Sequence, residues 1–339
     1  MQTASTGSAG TDPASTTAPR PFAPPRARPR IWPLIPLLLV ALLPALPGVN
    51  NYILAVTVRA LIFIALGQAW NIVAGIGGLL SLGHGVFLGL GCYVTGILFD
   101  NLGVPPWLGV PAGMVVACLV ALVMGGMTLR MRGVFFALAT VAVSLACDQL
   151  ARHYVDLTGG DNGLALTFIG TSLWAMQSRS PAPFVYAGLV LVVAFYWITR
   201  WILASRFGLE MRAVRDDEVA AAASGVRVFR TKLLGFIVSA AMTALAGGLY
   251  MQYYQAIDPE SAFGLGQAIQ LQLPALIGGL GTAAGPILGG ALMTVLSEAT
   301  NWGSTRLGLV GVDVLVYGLV LLLVVLWAPA GVVGMLRRR

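Results

Sequence analysis

The side chains of this 339-residue sequence that could do chemistry are few, and most share one stretch. Arg200, Arg206, Arg212, Arg215, Arg227, Arg230 and Lys232 surround Asp216, Asp217 and Glu218. Residues 209–223 are good helix formers, and Gly225 suits the position just past a helix end. The spacing therefore predicts one short helix with Arg215, Asp216 and Glu218 exposed, shaped to dock in a partner's groove. A plain solvated loop helix would have the same composition, and from these residues alone both readings stand. Lys232 is the only lysine and Leu233 follows it, so the Gly-x-x-x-x-Gly-Lys-Ser/Thr phosphate loop is missing. Any ATP-driven step must then belong to another chain. Cys92, Cys118 and Cys147 lie singly in apolar stretches and read as small core residues, not as disulfides or ligands. His84 and His153 are the only histidines, and no cluster has metal-ligand spacing. With no paired carboxylates or activated nucleophile facing a cavity, the chain is expected to be non-catalytic and to carry no cofactor or metal.

Two further clusters of polar and glycine residues stand out. Gly75–Tyr93 is interrupted by glycines and carries Ser81, Gly83, His84 and Gly85 where the helix should break. Broken backbone at membrane depth survives only where protein or a watery cavity covers it. These four residues are therefore candidates for a translocation path, with His84 read as a hydrogen-bonded packing residue rather than a proton relay. Thr158, Gly159, Gly160, Asp161, Asn162 and Gly163 form a turn-prone loop that favours positive φ. It is either a plain connection or the lining of an outer mouth. Arg59 sits near the start of an apolar run, within snorkelling reach of the surface, with Asp148 as a candidate partner.

These groups must be positioned by membrane helices. Charged residues make up 10% of the chain and apolar ones 58%, against about 25% charged in a soluble domain. Texture of this kind holds roughly nine to eleven spans of about 20 residues each. Apolar segments fall at 31–49, 52–74, 80–99, 107–128, 134–151, 183–204, 233–254, 268–279, 284–298 and 312–333. Sixteen of the twenty basic residues lie at Arg20–Arg30, Arg130–Arg132, Arg200–Lys232 and Arg337–Arg339. Short cytoplasmic loops retain positive charge in this way, so the +7 net charge reports membrane orientation and not nucleic-acid binding. Placing all four basic stretches inside requires an even number of crossings. Ten fit and nine do not. The expected fold is an all-α polytopic membrane protein of about ten helices, some short or broken, with both termini cytoplasmic. Residues 1–30, rich in Ala, Ser, Thr, Pro and Gly, are expected to be a disordered cytoplasmic tail. Residues 31–336 form the membrane domain, with the polar loop 205–232 inside it, and 337–339 a basic end.

Gly77–Gly78–Leu79 followed by Gly85–Val86–Phe87–Leu88–Gly89 is echoed by Gly278–Gly279–Leu280 followed by Gly285–Pro286–Ile287–Leu288–Gly289. Paired interrupted segments in two halves of a transporter mark its path, which adds Gly278, Gly279 and Gly281 to the candidates. Glycine abundance, 42 residues in all, offers the plainer explanation.

Taken together these blocks resemble the LivM-type permease subunits of ATP-binding-cassette importers for branched-chain amino acids. The resemblance rests on Gly77–Gly85, Arg132–Thr140, Thr158–Leu164, Ser205–Glu218 with Gly225, Gly278–Gly281 with Gly285–Pro286, and Pro329–Gly331, and covers about residues 50–335. The general importer pattern Glu-Ala-Ala-x-x-x-Gly is only approximated by Glu218–Val219–Ala220–Ala221 and Gly225, one residue longer. The resemblance implies a multi-pass protein of the bacterial inner membrane in contact with lipid. Its partners would be ABC ATPase subunits, a second permease, and a periplasmic or surface solute-binding protein. Arg215, Asp216, Asp217, Glu218 and Gly225 would couple to the ATPase, and charge reversal at Asp216 and Glu218 should uncouple or release it. The loop 158–163 would meet the delivery protein. Similar permeases carry urea, amides or aromatic acids, so the cargo stays open. An ion-gradient-driven transporter is the rival class, but it would want carboxylates in mid-span, where this sequence shows none.

Overall fold

A computed structural model describes residues 35–46, 48–307, 318, 319 and 331. Helix α1 (Ile35–Leu42) runs into a 3₁₀ turn, and α2 (Asn51–Asn71) is prolonged by a π turn at Ile72–Ile76. Then come α3 (His84–Leu102), α4 (Pro106–Thr128), α5 (Val134–His153), the single turn α6 (Val155–Thr158) and α7 (Ala182–Ala204). Two short helices follow, α8 (Arg206–Asp216) and α9 (Glu218–Ala223), before the long α10 (Val228–Tyr254). The described chain closes with α11 (Pro259–Phe263), α12 (Leu265–Gly278) and α13 (Gly285–Leu307). Strands β1 (Leu164–Ala165) and β2 (Ala256–Ile257) pair antiparallel in a two-stranded patch.

Six helical stretches among the described residues are long and apolar enough to cross a membrane: Asn51–Ile76, α3, α4, α5, α7 and α10. Helix is the form that satisfies every backbone group internally in hydrocarbon. Local chemistry sets the ends. Gly103 (φ 62°) stops α3, and Pro106 opens α4 at a position where its missing N–H costs no helical bond. Ser205 caps α8 by accepting from Gly208 N–H, and Asp258 caps α11 through Ser261 N–H.

Helix α10 is the central post and packs against α3, α4 and α2. Small residues permit the approach: a methyl group on Gly91 would strike the Ala244 carbonyl, and one on Gly247 the Leu88 carbonyl. Phe87, Phe136 and Phe236 meet edge-on beside that contact, at centroid distances of 5.3 and 6.2 Å around Phe236.

Several expectations change. Within the segment 31–49 the described residues form the helix Ile35–Leu42 and the 3₁₀ turn after it, and the helix expected over 284–298 continues to Leu307. Glu298 therefore lies nine residues before a helix end instead of at one, so an acid does stand within a long helix. It is paired with Arg59, not left free. Asp148, expected to partner Arg59, binds Arg152 one helical turn along instead. The residues 1–30, most of 312–333 and 337–339 lie outside the described residues.

Candidate functional site

Two ends of the bundle differ in charge. Arg130, Arg132 and the loop 205–232 lie at one end, tied together by Arg132 and Glu218 at 3.5 Å. Asp161 and Glu260 lie at the other, both bound to Arg152.

The helix expected over 209–223 is broken in two. Asp217 adopts an extended backbone (φ −157°, ψ 114°) and its carboxylate accepts from Val219 and Ala220 N–H. An aspartate that can cap a new helix competes with continuing the old one. Those two N–H groups hold its carboxyl below the ordinary carboxylate range. Gly225 (φ 86°) ends the second piece, as its position suggested.

Helices α8 and α9 are fastened to the bundle at several points. Arg212 donates to Leu203 and Gly208 carbonyls at 3.2 and 3.1 Å. Glu218 accepts from Lys232 of α10, whose side chain is only 5% exposed, and from Arg132 of the α4–α5 turn. Glu218 was expected to face a partner; it instead faces inward as a clamp. Arg215 donates to Gly75 O at 2.9 Å, at the π turn of α2, while also contacting Asp216. Asp216 remains exposed, and so does Val219, 68% exposed. Between these helices and the end of α2 is a recess lined by Val73, Gly77, Leu79, Met211 and Lys232.

The first glycine break does what a broken helix must: its polar groups find partners. Ser239 Oγ of α10 donates to Ala69 O at 2.7 Å and stands 2.8 Å from His84 Nε2. With its proton so committed, Ser239 accepts from Nε2–H, and His84 Nδ1 accepts from Ser81 Oγ at 3.0 Å. Both ring nitrogens are satisfied and the ring is fully buried between Phe87 and Phe236. That is a packing role. The Ser81 carbonyl is held by Trp70 Nε1 (2.8 Å) and Gln272 Nε2 of α12 (3.4 Å). Ser239 lies eleven residues into α10, about 16 Å from its basic end at 1.5 Å per residue. Gly83 and Gly85 are equally enclosed; methyl groups there would meet Thr140 O and Ala262 O.

The second break, Gly278–Gly281, lies against the first. Gly279 and Gly281 have φ of 123° and 72°, matching Gly78 at 72°. Gly281 N–H donates to Asn71 Oδ1 at 2.8 Å, and Asn71 Nδ2 donates to Thr282 O at 2.9 Å. A methyl group on Gly278 would run into Gly285 O, so α12 and α13 meet almost backbone to backbone. Both echoed segments are thus helix, left-handed glycine, helix. The loop Thr158–Gly163 is far from both, at the acidic end. Gly159, Gly160 and Gly163 there have positive φ, Thr158 Oγ1 donates to the Tyr154 carbonyl, and Asp161 is held by Arg152 while Asn162 is exposed. Sequence reasoning missed Asn71, Ser239 and Gln272, whose partners are remote in sequence, and Arg152, which gathers Asp148, Asp161 and Glu260. Polar residues inside apolar runs were the available signal for the first three.

Comparison with known proteins adds the following. The family described as the permease component of branched-chain amino acid transport systems matches residues 52–325. The high-affinity branched-chain amino acid permease LivM of Salmonella typhimurium is 27% identical over 304 residues, 83% of this chain and 70% of that protein. LivH of the same organism is 30% identical over 288 residues, covering 80% of this chain and 90% of LivH. BraD of Pseudomonas aeruginosa is 27% identical over 302 residues, 80% of this chain and 90% of BraD. No solved structure matches.

Proposed function

Since this chain belongs to the family of permease components of branched-chain amino acid transport systems, we propose that it is the membrane subunit of an ATP-binding-cassette importer, with its ATPase seated on α8 and α9. As a family member it is a transport permease and not an enzyme. The basic end is assigned to the cytoplasm by its positive charge. The carrying observation is that α8 and α9 are clamped to α2, α7, α10 and the α4–α5 turn, yet leave Asp216 and Val219 exposed. A cytoplasmic element so fixed can pass a push into the bundle, and its open face offers a charge and an apolar knob to a groove.

Ten crossings with both ends inside remain the preferred topology. The six long helices, α1, α12, α13 and the segment 312–333 make that number, and Gly331 lies against Gly279 at the basic end. The cargo is a branched-chain amino acid, as the relatives' names indicate. A second permease and a solute-binding protein complete the assembly in the bacterial inner membrane, with the loop 158–163 on the delivery side.

Because Glu218 is an internal clamp, reversing it would disturb the loop itself. Asp216→Lys with Val219→Glu is the cleaner probe. Complexes purified with the double variant should lose the ATPase while the permease keeps its thermal stability. A variant that retains the ATPase at wild-type stoichiometry excludes this docking face, and a wild-type chain that brings down no ATPase excludes the importer itself.

A further inference from the structure

We infer that Arg215 is a positioning residue, a latch through which α8 grips both glycine breaks at once, rather than a contact for the ATPase. The inference rests on the proposal that α8 and α9 receive an ATPase. The motif around Arg215 suggests a docking surface, but its side chain, 39% exposed, also reaches back into the bundle. The stem lies over Gly78, where a methyl group would collide with Arg215 Cγ, and the guanidinium reaches Gly75 O at 2.9 Å. The π turn presents that carbonyl. Leu79 N–H turns back to Val73 O at 3.0 Å and Gly78 N–H to Ala74 O at 3.1 Å, so the ladder skips Gly75 O and the guanidinium takes it.

Contact continues beyond Gly75. A methyl group on Gly75 would strike both Asn71 Oδ1 and Gly281 N, so the two breaks touch without a side chain between them. Asn71 then bonds Gly281 N–H and Thr282 O, fastening the α12–α13 turn to the end of α2. A displacement of α8 is thereby delivered to α2 through one charge-assisted hydrogen bond, and to α12 and α13 through Asn71. Such a bond couples two sites only if it is stronger in one access state than in the other. Glycine at 75, 78 and 281 is what the arrangement needs: close approach at 75, positive φ at the other two.

The test uses the complete transporter in proteoliposomes, with uptake and ATP hydrolysis measured together. Arg215→Ala and Gly78→Ala should each keep the ATPase in the complex and lower uptake per ATP roughly tenfold, the scale of one lost charge-assisted hydrogen bond. If Arg215→Ala does not accumulate, Arg215→Gln carries the test, since it keeps the stem and withdraws the donor from Gly75 O. Loss of the ATPase from the complex would make Arg215 a docking contact and overturn the latch, as would unchanged uptake per ATP. Failure of the importer proposal reads differently: no ATPase accompanies the wild-type chain.

Discussion

His84 shows how much a single buried polar residue depends on groups far from it in sequence. Its Nε2 partner, Ser239, is 155 residues away, and Ser239 in turn needs the Ala69 carbonyl. That His84 is a packing residue was readable from the sequence, because a lone histidine without nearby acids has no relay to join. Its partners were not readable, because a serine in an apolar run looks the same whether it bonds its own helix or a neighbour. Ser239→Ala should leave a buried imidazole N–H without an acceptor and destabilise the protein by about 1–3 kcal/mol. Thermal unfolding of the detergent-solubilised chain measures this. An unchanged midpoint would mean that the imidazole finds another acceptor.

At the scale of elements, the break between α8 and α9 turns on Asp217. Composition predicts one helix over 209–223, since every residue there tolerates helix; a capping side chain wins locally because it satisfies two N–H groups at a new helix start. The folded carboxyl lies below its unfolded value. The stabilisation from this cap is thus fully present above the unfolded carboxylate range and is lost as pH falls through the lower, folded value. Pepsin nicking of the 205–232 loop should rise across that acid window. Asp217→Asn keeps a cap acceptor without a charge and should blunt the rise. Identical acid sensitivity in the two proteins would show that the cap does not hold the loop.

Across the whole molecule, Arg59 and Glu298 join helices that are 239 residues apart in sequence, with the Tyr52 hydroxyl donating to the same carboxylate. The pair sits within α2 and α13 rather than at their ends. Snorkelling, the expectation for Arg59 alone, gives way to this pairing with a carboxylate of another helix. Removing one partner leaves the other charge uncompensated. Glu298→Leu should therefore lower the unfolding midpoint more than Arg59→Leu with Glu298→Leu together, and strictly additive shifts would show that the two are not coupled.

Composition and charge distribution determined by themselves that the chain is a helical membrane protein, which end is basic, and where glycines interrupt its helices. These are local properties: hydropathy and charge act wherever a residue sits, and a glycine permits a break whatever surrounds it. The family, too, was legible in the order and spacing of short blocks. Only the tertiary structure decided that the two breaks touch at Gly75 and Gly281, that Glu218 and Arg215 bond back to the bundle, and that Arg59 pairs with Glu298 and not Asp148. Each of those facts is a distance between residues remote in sequence, and such distances are set by how closely helices pack, which no local property encodes.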